Sequence, residues 1–119
     1  MPQGSYTYDY PRPMMTTDAV VFAVRNGGLD VLLIQRKSEP FAGQWALPGG
    51  FLDMEETLEE SVARELQEET GLSGIRLEQF HTFSDPRRDP RGRSLSTAFL
   101  ALVDPDRYTP RAADDAGDV

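Results

Sequence analysis

The chain of 119 residues carries 20 acidic and 12 basic side chains, a formal charge of -8, and no cysteine. That length supports one domain with a modest core, and the lack of cysteine excludes disulfides, thiolate metal sites and cysteine nucleophiles. The acidic balance argues against a broad nucleic-acid footprint, so an anionic ligand would need metal ions and a local cluster of arginines, and hydropathy gives no membrane-spanning segment.

Residues 1–15 mix Gly, Pro and Tyr without periodicity, and Pro11 and Pro13 discourage regular structure, so they read as an N-terminal arm ahead of a domain over 16–119. The arm lacks the basic start and apolar run of a secretory signal, which makes the cytoplasm the expected location. Tyr6, Tyr8 and Tyr10 read as packing or arm contacts, with a nucleobase platform as the competing use.

Residues 19–24 (AVVFAV) and 30–35 (DVLLIQ) flank Asn26-Gly27-Gly28 and predict a β-hairpin. Their unbroken apolar runs predict a sheet covered on both faces. Residues 41–50 (FAGQWALPGG) read as a loop with a short strand at 45–47; Phe41 and Trp45 could stack on a nucleobase or fill the core, and Trp45 is expected in the core. The two glycines that close this stretch allow a tight turn or the near approach of a ligand.

A helix should begin at Thr57 as N-cap, with Glu60 completing a capping box, and end at Gly71 in a left-handed C-cap. Leu58, Val62, Ala63 and Leu66 should face the sheet. Glu65, Glu68 and Glu69 stand at i, i+3 and i+4 and share one side of that helix, with Glu65 and Glu69 flanking the apolar stripe. Their mutual repulsion calls for a cation, and carboxylates without His or Cys suit a hard ion such as Mg²⁺ or Mn²⁺. The blander alternative is a solvated acidic face laced with Glu/Arg pairs.

Beyond the helix, residues 75–83 and 95–103 read as strands joined by a loop, SDPRRDPRGRS, that holds four arginines. His81, the only histidine, reads as structural, because no second histidine shares a site with it. The polar stretch 105–117 gives no further element.

Gly50, Glu56, Arg64, Glu65, Leu66, Glu68, Glu69, Gly71 and Leu72 fill all nine specified positions of a pattern that resembles the Nudix box. The resemblance implies an α/β fold, with a mixed β-sheet packed between helices in an α/β/α sandwich. It also implies hydrolysis of a nucleoside diphosphate linked to another moiety, by metal-assisted attack of water on the pyrophosphate. Glu65, Glu68, Glu69 and the carbonyl of Gly49 would hold Mg²⁺ (or Mn²⁺), and one glutamate could serve as general base. Arg64 would orient a glutamate of the cluster, and Glu56 would be its structural partner. A further acid outside the box would come from Asp114, Asp115 or Asp118, unless that stretch is only an acidic tail. The closing strand and helix usual in the family are expected to be missing, as in a C-terminally truncated domain.

The arginine loop and the segment RKSEPFAGQWALPGGF resemble a subset of the family that acts on or senses ADP-ribose and related NAD metabolites. Arg36, Arg88, Arg91 and Arg93 would then contact substrate, against a plain surface loop of Arg/Asp pairs. Three activities remain open: a pyrophosphatase yielding AMP and ribose 5-phosphate, the ligand-sensing part of a transcriptional regulator, and a house-cleaning hydrolase of oxidised nucleoside triphosphates. The expected partner is a small nucleotide, with no nucleic acid for this domain alone and no membrane. A homodimer through the arm is compatible with the sequence.

Overall fold

A computed structural model describes residues 4–38, 41–111 and 116–118. Its longest strand, β1 (Met14–Arg25), runs through the middle of the principal sheet. On one edge it pairs in parallel with β7 (Ser94–Val103) from Met14↔Ser94 to Ala23↔Val103. The other edge is divided between β2 (Gly28–Val31) and β5 (Gly49–Phe51), both antiparallel. β6 (Glu78–Phe83) closes the far side against β7, with a bulge between Gln79 and His81. A second sheet pairs β3 (Ile34–Arg36) with β4 (Trp45–Ala46) and with β8 (Ala116–Asp118).

The predicted hairpin forms, and its turn shows why. Asn26 and Gly27 sit at φ 50° and 77°, the left-handed pair that matches the twist of the flanking strands. The return strand does not continue as one piece. After Val31 it leaves β1, held by a bond from Leu32 N–H to the Val21 carbonyl, and resumes as β3 in the other sheet. β5 then occupies the edge of β1 that the return strand vacated, at Thr16↔Phe51 to Asp18↔Gly49.

The single helix among the described residues, α1 (Leu58–Thr70), starts and ends where the sequence put its caps. Thr57 Oγ1 accepts from Glu60 N–H at 3.1 Å while Glu60 Oε1 accepts from Thr57 N–H at 2.9 Å. Gly71 adopts φ 77° and donates its N–H to the Gln67 carbonyl. Val62 and Leu66 are fully buried against Ala19, Val21, Phe99 and Ala101, which alternate along β1 and β7 on the face that α1 covers. Val62 and Leu66 each contribute about 1.5–3 kcal/mol by this burial. Ala63, expected on that face, is exposed; Ser61 and Thr70 are buried instead, Ser61 Oγ lying 3.2 Å from Thr17 Oγ1.

The mixed sheet with α1 against it is the expected α/β arrangement, and the opposite face of the principal sheet is without the closing helix that was expected to be missing. Val24 and Leu102, with β2 residues Leu29 and Val31, are exposed there, and no described helix lies over them. The sheet is therefore covered by a helix on one face, not sandwiched between two among the described residues. The apolar runs 19–24 and 30–35 predicted two covered faces, but burial in β1 alternates from Thr17 to Val21 and β2 is exposed throughout. Trp45, assigned to the core, is half exposed because β4 lies on the edge of the second sheet. A short strand, β8, occupies a stretch without strand signal, paired with β3 at Gln35↔Asp118. No helix among the described residues is long and apolar enough to cross a membrane.

Candidate functional site

The C-terminal half of α1, the β5 strand, the start of β1 and the arginine loop enclose a cleft of about 460 Å³. Glu65 and Glu69 line one part of it, and Arg36, Arg88 and Arg91 line another, with Gly49, Gly50 and Phe51 between. Acidic and basic groups separated in sequence by up to 33 positions thus face one space.

The glutamates are held rather than loose. Arg64 is the organiser: its Nε and one terminal nitrogen donate to the two oxygens of Glu56 at 2.5 and 3.0 Å, a paired bond across the helix start. Its other terminal nitrogen donates to Glu65 Oε1 at 2.8 Å and to Glu68 Oε2 at 3.1 Å. Arg64 also reaches the Phe51 carbonyl at 3.3 Å, which ties α1 to β5. Glu69, almost fully buried, accepts the Gly49 N–H at 2.7 Å. Glu68 is more exposed and is absent from the cleft lining, as its position away from the apolar stripe foretold.

These contacts set the ionisation. Bonding to Arg64 holds the Glu56 carboxyl below its ordinary range, and the same contacts push the Arg64 guanidinium upward. Burial pushes Glu65 above its ordinary value, with the Arg64 bond working in the opposite direction.

Of the two uses open to Gly49 and Gly50, a tight turn or a close approach, the structure has the second kind: they are strand residues with neighbours pressed against them. A Cβ on Gly49 would run into the Thr17 carbonyl, and one on Gly50 would lie 2.7 Å from the Glu65 carboxylate. Neither needs a left-handed backbone, so close approach is the reason for both.

Carboxylate oxygens with no nitrogen or sulfur donor nearby match a hard divalent ion in kind. In their present arrangement, however, no group of three or more His, Cys, Asp or Glu side chains among the described residues is gathered around a common point for an ion. Arg64 occupies the space between Glu65 and Glu68. The donor chemistry fits such an ion, and convergence would require Arg64 to yield one of its bonds.

The loop arginines divide. Arg88 donates to Ser94 Oγ at 2.8 Å and faces the cleft. Arg91 is clamped by both oxygens of Asp89, the closest at 2.8 Å, and lies 5.6 Å over the Phe51 ring; that pairing holds the Asp89 carboxyl down at about 2. Arg93 instead donates to the Ser84 carbonyl at 2.6 Å, bracing the loop, and does not line the cleft. Asp114 and Asp115 lie outside the described residues, and of Asp118 the strand pairing alone is described. His81 stacks edge-on with Phe83 at 4.9 Å in exposed β6, far from a ligand's role. Tyr6 and Tyr8 stack on one another at 6.4 Å, with Arg12 over Tyr8 at 3.7 Å, ring contacts made within the arm.

Asp18 was missed. It lines the cleft from β1, its Oδ2 accepting from Ser96 Oγ at 2.5 Å, and burial pushes its carboxyl above the ordinary range against the pull of Ser96 and Arg88. The signal was present: one acid stands in the run MMTTDAVVFAV, where an apolar residue would be routine.

The sequence model of the NUDIX domain family matches residues 15–118. The chain is 44% identical over 97 residues to the ADPR responsive transcriptional repressor NtrR of Acinetobacter baylyi, covering 80% of this chain and 39% of that protein. It is 42% identical over 94 residues to the ADP-ribose pyrophosphatase of Methanocaldococcus jannaschii, covering 79% of this chain and 53% of the other. Its fold matches the NUDIX domain of Shewanella oneidensis NrtR complexed with ADP ribose, with a TM-score of 0.83 and 36% identity over 93% of this chain and 75% of that one. The chain thus spans about half or less of the two curated relatives. An intact nine-position box folded onto a capped helix, a family match over nearly the whole chain and a shared fold together mean that this chain belongs to the Nudix family.

Proposed function

We propose that the chain is a metal-dependent Nudix pyrophosphohydrolase acting on ADP-ribose or a related NAD metabolite, with AMP and ribose 5-phosphate as products. The observation that carries this reading is the cleft that brings Glu65 and Glu69 of the box face to face with Arg36, Arg88 and Arg91. Guanidinium forks bind phosphate oxygens in pairs, so the arginine side suits a pyrophosphate that bridges two nucleoside-like halves. Glu65, Glu68 and Glu69, with Gly49 beside them, would hold Mg²⁺ or Mn²⁺, which when bound polarises phosphoryl oxygens and acidifies water. The protein's own groups set the geometry: Arg64 orients Glu65 and Glu68, and the Gly49 N–H fixes Glu69.

One observation favours a second reading, a sensor of the same ligand. The Acinetobacter relative is a repressor, and here Arg64 ties two of the three glutamates into ion pairs. Mg²⁺-dependent hydrolysis of ADP-ribose, NADH, dinucleoside polyphosphates and 8-oxo-dGTP, with products identified, separates the possibilities. Release of AMP from ADP-ribose supports the enzyme, tight binding without turnover supports the sensor, and pyrophosphate released from 8-oxo-dGTP would point to house-cleaning.

A substitution in β5 tests the site's geometry separately. Gly50→Ala pushes a methyl into the carboxylate end of the Glu65 side chain and not into backbone, so the strand should survive while the carboxylate shifts. The expected result is at least ~10-fold slower hydrolysis, because misplacement by about 1 Å is that costly, with little change in melting temperature. Unchanged turnover would show that Glu65 takes no part.

A further inference from the structure

We propose that Asp18 is a specificity residue of the cleft, its Oδ1 accepting a hydrogen bond from a sugar hydroxyl of the bound ligand while Arg88 takes an adjoining phosphate. The inference rests on the reading above, that the cleft holds a nucleoside diphosphate linked to a sugar.

Asp18 and Thr16 are two apart on β1 and both face the cleft, opposite the core positions Thr17 and Ala19. Ser96, fully buried on the neighbouring strand, donates to Oδ2 and locks the carboxylate in one orientation. The other oxygen, Oδ1, is aimed at β5, 2.6 Å from where a side chain on Gly49 would begin. Gly49 has no such side chain to displace that oxygen, and no described residue donates a hydrogen bond to it. Ser94, two positions before Ser96 on the same side of β7, is likewise buried and accepts from Arg88. Two buried serines on one strand face therefore fix an acceptor and a cation in the same cleft, and the Arg88 charge reaches Asp18.

Unlike Glu65 and Glu69, whose charge the proposed ion would offset, a carboxylate held by Ser96 in a space meant for pyrophosphate alone would repel the ligand. It makes sense where the ligand also carries donors. Sugar hydroxyls are the donors that a phosphate-linked nucleotide offers next to its phosphates, and a site built around a buried acceptor discriminates strongly against a ligand that leaves it unpaired.

The test compares two ligands that cannot turn over, each with Mg²⁺: the methylene analogue of ADP-ribose and methylenediphosphonate, which has no sugar. Calorimetric titration of the wild type and Asp18→Asn should show affinity for the sugar-bearing analogue lowered about 10- to 100-fold, the range of a charge-assisted hydrogen bond. Affinity for methylenediphosphonate should hold or rise, since a negative charge has been removed. Asp18→Glu, which keeps the charge and displaces the acceptor, should show the same selective loss and serves if Asp18→Asn does not fold. An equal loss for both ligands would overturn the proposal, because Asp18 would then act through Arg88 or through the fold. Unchanged affinity for both would overturn it as well. A wild type that binds neither ligand would instead overturn the underlying functional reading.

Discussion

Glu69→Gln is expected to slow hydrolysis of ADP-ribose by at least ~100-fold, about 2.7 kcal/mol of lost transition-state stabilisation. Glu69 is almost fully buried at the edge of the packed face, and its Oε1 accepts the Gly49 N–H at 2.7 Å. Glutamine keeps a carbonyl oxygen for that bond and keeps the volume, so the contact between α1 and β5 survives while the negative charge is lost. Stability should therefore stay within ~1 kcal/mol by urea unfolding. Weaker dependence on Mg²⁺ concentration should accompany the loss of rate. Normal turnover with unaltered Mg²⁺ dependence would remove Glu69 from the chemistry.

Arg64→Ala should damage both fold and activity. One guanidinium serves Glu56, Glu65 and Glu68 and the Phe51 carbonyl, and its side chain is 27% exposed. Its removal leaves partly buried carboxylates without their cation, for an expected loss of about 2 kcal/mol. Lysine should rescue little, because a single ammonium cannot reproduce the paired bond to Glu56. The pH dependence supplies an independent signature. Glu56 is depressed below 4.5 by Arg64, so its contribution to stability is complete above that value and fades as pH falls through the folded pKa. The variant should lose this acid-side decline. Glu65, raised from 4.5 chiefly by burial, behaves oppositely: its contribution is present below 4.5 and fades as pH rises through the folded pKa. Without Arg64 that pKa should rise further, so the variant should lose more stability than the wild type between pH 4.5 and neutrality. Urea unfolding across pH 3 to 7 reads both trends, and parallel profiles for the two proteins would contradict the account.

Both predictions lean on local relationships, and local relationships were what the sequence displayed. The capping box at Thr57 and Glu60, the left-handed Gly71 and the Asn26-Gly27 turn each depend on a few neighbouring residues, whose backbone preferences act wherever the chain goes. The i, i+3, i+4 spacing of the glutamates likewise follows from helix geometry alone. Membership of the Nudix family was legible for the same reason: its box is contiguous.

Where the other strands went was a different matter. β5 carried no strand signal, since two glycines read as a turn until β1 and Glu65 are seen pressing against them. Arg88, Arg91 and Arg93 looked equivalent in one loop, yet Ser94, Asp89 and the Ser84 carbonyl send them to different ends. Asp18 gained its place from Ser96, 78 positions away. The sequence by itself determined the helix, its caps, the hairpin turn and the acidic box, because each is decided by short-range backbone and side-chain preferences. Tertiary structure alone decided which arginines face the cleft, that an acid of β1 joins them, that Trp45 stays outside, and which face of the principal sheet α1 covers. Those outcomes depend on pairing and packing between distant segments, whose free energies are absent from any local stretch of chain.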